Sequence, residues 1–69
     1  MKPYQQKVID EKHELDQRLV KLSEFIFGAD EFENIDAGEQ SRMRIQMAAM
    51  AVYGTVLQER IDAFELLSK

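Results

Sequence analysis

The chain has 69 residues, no cysteine, one histidine and a formal net charge of −4. A sequence this short makes at most one domain and seldom closes a self-sufficient core; disulfides, a structural metal or association are the usual remedies. The missing cysteines exclude the first remedy. His13 stands without a metal-ligand cluster, which argues against the second, so association is the expectation.

The charge is concentrated. Residues 1–27 hold five basic and five acidic side chains. Residues 28–40 hold Asp30, Glu31, Glu33, Asp36 and Glu39 with no base. Residues 41–69 hold four basic and three acidic groups. The acidity belongs to one short connector, and the long segments are close to neutral. A surface that coats a DNA or RNA polymer needs a basic stripe, and none is present. No apolar run approaches the ~18 residues of a membrane span, and no signal-peptide pattern opens the chain, so a cytoplasmic protein is expected.

In chain order, Pro3 suits the first turn of a helix, where its missing N–H costs nothing. Val8, Leu15, Leu19, Leu22 and Ile26 then recur at steps of three and four, with Lys12 in the one polar place, which predicts a helix over about 3–27. Gly28 is its expected C-terminal cap. Ile9, Val20 and Phe27 form a fainter stripe away from the main seam. The connector, 28–36, is acidic yet contains Phe32 and Ile35, and two large apolar residues there are expected to tuck under the end of the hairpin. Asp36 followed by Glu39 reads as an N-cap with its capping-box partner, which predicts a second helix over about 37–67.

This second helix carries two apolar arcs. At about 100° per residue, Met43, Met47, Met50, Gly54, Leu57, Ile61 and Phe64 share one face. Ile45, Ala49, Val52, Val56, Ala63 and Leu67 share another, nearly opposite. A single partner helix covers only one of them. The first arc is expected to pack on helix 1 and the second on another chain, while Ala48, Ala49, Ala51 and Gly54 keep the middle of the helix thin. The expected fold is therefore all-α: one domain over 1–69, an antiparallel two-helix hairpin that assembles into a homo-oligomeric helical bundle.

The motifs of catalysis are missing. There is no Gly-rich phosphate loop, nucleophile elbow or HExxH, and Ser23, Ser41, Ser68 and His13 lack the spacing of a triad, so no catalytic residue, metal or cofactor is expected. The four methionines at helical spacing read as core filler. One pattern does carry binding chemistry: Arg42, Gln46, Tyr53 and Arg60 line one seam of helix 2 beside its second apolar arc. Guanidiniums fork onto phosphate, and a phenol stacks or donates. Tyr4 and Lys7 offer a similar set at the N-terminus. The same arginines would equally serve as interface residues paired with a neighbour's carboxylates.

The stretches PYQQKVIDEKHELDQRLVKLSEFI, FENIDAGEQSRMRIQ and MAVYGTVLQERIDAF, with Gln5, Glu11, Leu15, Phe32, Gln46, Tyr53 and Arg60 most telling, resemble a family of small bacteriophage proteins. That family is built on the helical hairpin of the anti-CBASS and anti-Thoeris sponges. The similarity runs from Pro3 to Phe64, with Gly38 and the alanine-rich centre as departures from the common pattern. The resemblance implies a homo-oligomer, a hexamer, acting in the cytoplasm of the infected bacterial host. It would hold a cyclic di- or trinucleotide or a cyclic ADP-ribose-type signal between protomers without cleaving it. A different class of function, a non-catalytic adaptor hairpin that docks other proteins, fits the two apolar arcs as well.

Overall fold

The computed structural model describes residues 1–67; Ser68 lies outside them. Helix α1 spans Pro3–Gly28, a 3-10 turn spans Asp30–Asn34, and helix α2 spans Ala37–Leu67. The two helices pack along each other as an antiparallel hairpin about 51 Å long and 15 Å across.

Helix α1 starts from Lys2, whose extended backbone precedes Pro3 at the first helical position. Its opening turn is closed reciprocally. The Lys2 N–H donates to Gln5 Oε1 at 2.8 Å, and the Gln5 N–H donates to the Lys2 carbonyl at 3.0 Å. The end of α1 differs from the expected glycine cap. Gly28 is the last helical residue, no described residue has a positive φ, and the capping residue is Ala29 in extended conformation. The Ala29 N–H donates to the Phe25 carbonyl at 3.2 Å. A left-handed residue is unnecessary here because one extended residue leads directly into the 3-10 turn, which itself reverses the chain.

That turn is held by its apolar residues. Phe32 is buried and meets Phe25 edge-to-face at 6.2 Å, while Arg44 lies over its ring at 5.1 Å. Ile35 is half-buried. Gln40 reaches back from α2, its amide donating to the carbonyls of Phe32 at 2.7 Å and Ile35 at 3.0 Å. The Phe32 carbonyl also accepts the Ile35 N–H at 3.2 Å, so the amide adds a second bond there and gives the Ile35 carbonyl a partner. The turn is thus fixed from both sides, by ring packing and by a side-chain amide.

The core between the helices is small. Val8 and Leu15 from α1 close on Leu57 and Ile61 from α2, with Ile9, Met50 and Phe64 packed against them. Leu57 is 1% exposed and is the centre of this cluster. Ile9 therefore departs from its expected stripe: it stands next to Val8 and covers the cluster, leaving Val20 and Phe27 as the exposed part. Lys12 takes a seam position yet costs little. Its stem passes over Gly54, whose missing side chain leaves room, and its ammonium meets Asp16 at 2.6 Å at the groove edge.

Every residue of the first arc of α2 is buried or half-buried, and every residue of the second is exposed. Ile45, Val52 and Val56 are 67%, 66% and 47% exposed. The whole chain exposes 5329 Å². The area–mass scaling of compact monomers gives roughly 4,500 Å² for a chain of 8.1 kDa. The excess, roughly 800 Å², is about one partner's share of a standard protein interface.

Leu57→Ala should cost about 2–5 kcal/mol, the usual penalty for emptying a fully packed leucine site, out of a total of roughly 3–10 kcal/mol for a chain of this length. Urea denaturation followed by circular dichroism should show a large drop in midpoint. A midpoint equal to the parent's would mean that the α1–α2 seam is not what holds the hairpin.

Candidate functional site

The first turn of α2 sets Arg42. The Asp36 carboxylate accepts a hydrogen bond from the Glu39 N–H at 3.1 Å, satisfying one of the donors that a helix start leaves unpaired. Glu39 does not complete the expected capping box; its carboxylate turns forward and accepts from Arg42 Nε at 2.8 Å. Arg42 Nη2 also lies 3.9 Å from Asp36. A guanidinium is a stronger partner for Glu39 than the Asp36 backbone N–H, which explains the substitution. These pairs are exposed and each is worth no more than about 1 kcal/mol, so they orient Arg42 without committing it.

The remaining seam residues are open to solvent. Gln46 is exposed, with its amide nitrogen 3.8 Å from Met50 Sδ. Tyr53 is 43% exposed, and Arg60 is exposed with no ion pair among the described residues. At the other end of the chain Tyr4 lays its ring edge-to-face against Phe64 at 5.6 Å, and Lys7 is exposed one turn further along α1.

The antiparallel arrangement spreads these six residues along the hairpin, with Tyr53 near its middle beside Gly54. Tyr4 packs on Phe64, so Tyr4 and Lys7 share the open end of the hairpin with Arg60. Arg42 and Gln46 stand at the turn end. Arg42 and Arg60 are separated by about 27 Å of helix axis at 1.5 Å per residue. One chain therefore does not gather the six into a pocket. Tyr4 lines a shallow concavity of about 480 Å³ with Met1, Lys2, Gln5, Phe64 and Leu67, and the seam arginines lie outside it.

One feature escaped the sequence reading. Arg44, off the seam, has its guanidinium over Phe32 and borders a polar concavity of about 270 Å³ at the turn end, with Gln40 and Glu33 on its rim. The buried aromatic in an acidic connector was the available signal for a cation nearby. His13 lies 3.2 Å from the Gln17 amide, at the rim of a solvent-open depression on α1. Among the described residues no group of three or more His, Cys, Asp or Glu side chains is placed to hold a metal ion, and no helix is long and apolar enough to cross a membrane.

The site chemistry amounts to guanidiniums, an ammonium, an amide and two phenols, all presented and none desolvated by a single chain. In comparisons with known proteins, the family model described as Sequestin matches residues 2–63. No curated protein and no solved structure matches the chain. The match covers nearly the whole sequence, and the chain belongs to the Sequestin family.

Proposed function

We propose that this Sequestin-family hairpin is a phage anti-defence sponge: a homo-oligomer that holds a cyclic oligonucleotide or cyclic ADP-ribose-type immune signal between its subunits and releases it unaltered. The observation that carries the proposal is the pairing of family with surface. The family's name denotes sequestration, and α2 keeps an exposed apolar face beside a seam of arginine, glutamine and tyrosine. Assembly through that face would cover the excess surface and enclose the seam, giving its cations the desolvated setting in which contacts to phosphate are strong. Phosphates would be met by Arg42, Arg60 or Lys7, and a base would stack on Tyr4 or Tyr53, with Gln46 reading a polar edge. Sequestration needs no catalytic group. On this reading, which the resemblance to phage sponges supports, the protein acts in the cytoplasm of an infected bacterium as an assembly of six copies.

The direct test is a melting-temperature screen against cyclic di- and trinucleotides and cyclic ADP-ribose isomers, followed by recovery of the ligand from denatured protein. A ligand at a hundredfold over its dissociation constant adds roughly 2.7 kcal/mol of stability. Stabilisation with intact ligand recovered is the expected result. Degraded ligand would make the protein an enzyme, and the absence of any stabilising ligand would favour an adaptor hairpin that docks other proteins.

Val52→Asp places a charge in the face assigned to assembly, where an unpaired buried charge is costly. Ultracentrifugation should show dissociation, accompanied by loss of helicity because the hairpin core is so small. A variant that keeps both its mass and its melting temperature would mean that Val52 faces solvent in the assembly.

Arg42→Ala and Arg60→Ala test the ligand chemistry. Loss of an arginine–phosphate contact in a partly buried pocket should cost about 2–5 kcal/mol. In calorimetric titration with the nucleotide identified by the screen, at least one variant should bind at least about tenfold more weakly, a loss of about 1.4 kcal/mol or more, with unchanged oligomer mass. Affinity like the parent's in both would place the pocket elsewhere.

A further inference from the structure

The central part of the exposed face of α2 has a symmetric spacing. Ile45, Ala49, Val52 and Val56 are spaced four, three and four residues apart, symmetric about the midpoint between Met50 and Ala51. We infer that two copies of this chain pair antiparallel through this face, about that midpoint, and that the pairing builds an anion-binding site from Arg42 of one copy and Arg60 of the other. The inference rests on the proposed assembly and adds its orientation, its register and the composition of the site.

Three observations favour this occupant and this direction. The excess surface of the single chain, roughly 800 Å², matches one partner's share of a standard interface. In the antiparallel register Ile45 meets Val56 of the second copy, and Ala49 meets Val52, so a small residue faces a larger one at the centre. A parallel, in-register pair would instead set Ala49 against Ala49 and leave a void between flanking β-branched residues. Charge decides most strongly. The turn end carries Asp30, Glu31, Glu33 and Asp36, and parallel pairing would put two such ends side by side. Antiparallel pairing moves them toward opposite ends of the pair, beyond the reach of a Debye screening length of roughly 8–10 Å.

The register has a chemical consequence. Arg42 and Arg60 lie at nearly equal distances on either side of the midpoint and on the same flank of the face. Two residues about 27 Å apart in one chain therefore stand at one level across the pair, twice over by symmetry. Two guanidiniums at one level repel each other until an anion lies between them, and a phosphate fits that place. The exposed pairs of Arg42 with Glu39 and Asp36 are weak enough to yield to it.

The chain has no cysteine, so introduced thiols report contacts cleanly. Ile45→Cys and Val56→Cys are prepared in the full chain, singly and as a co-refolded mixture, and treated with a short bismaleimide. The expected result is efficient dimer formation in the mixture and little in either variant alone. Self-linking of each variant alone would establish parallel pairing, and no linking in any sample while the assembled mass persists would place the interface elsewhere; either overturns the inference. The site is read separately, as the rise in melting temperature in inorganic phosphate over chloride at equal ionic strength. The rise should appear in the parent and vanish in Arg42→Ala and in Arg60→Ala; an equal rise in all three overturns the shared site. Nucleotide binding with self-linking variants would keep the proposed function and reject the pairing, whereas linking in the mixture without nucleotide binding would do the reverse.

Discussion

The contact between Leu15 of α1 and the Gly54–Leu57–Ile61 stripe of α2 governs the remainder of this molecule. Among the described residues it is the cluster to which both helices give fully buried side chains, and it is narrow: four buried side chains with three partly buried ones against them. A hairpin can bury only the facing stripe of each helix, whatever its length. Lengthening α2 to 31 residues adds as much outward surface as inward. The apolar residues on the outward side are then an extra cost in water, unless something other than α1 covers them.

The turn end solves a separate problem. An acidic connector at the mouth of a two-helix hairpin is repelled by itself and has few backbone partners. Phe32 gives it an anchor beneath Phe25, Gln40 satisfies its carbonyls, and Arg44 and Arg42 bring positive charge to it from α2. The result is a rigid corner, so the start of α2 is defined by Asp36 rather than left to fray. That rigidity fixes where the seam of α2 begins, and with it the direction in which Arg42 and Gln46 are presented.

Much of this was legible in the residue pattern. The three- and four-residue steps of Leu15, Leu19, Leu22 and Ile26 specify a helix, and the two arcs of α2 separate cleanly because 100° per residue keeps Met50 and Val52 on opposite sides. What the pattern could not supply was the local chemistry of the ends. Gly28 looked like a left-handed cap, but the choice between a left-handed residue and an extended one depends on where Phe32 has to go, a tertiary matter. Glu39 looked like a capping-box partner, yet it turned to Arg42 because a guanidinium four bonds beyond its backbone competes better than an amide. Ile9 sat on the wrong stripe by angle and was recovered by the cluster beside it. The candidate site was legible as chemistry and not as geometry: one chain spreads its arginines along the helix, so no single-chain pattern could show which of them meet.

The central claim is that a cyclic nucleotide is held, unaltered, between copies of this hairpin. Native mass spectrometry of the purified protein with a stabilising cyclic nucleotide tests it most directly, because one spectrum reports both the number of subunits and the mass of the bound ligand. The expected spectrum shows a discrete multimer of the 8.1 kDa chain carrying ligand of unchanged mass, with no ligand on any residual monomer. Ligand bound to the monomer, or a multimer whose ligand has lost mass, would contradict it.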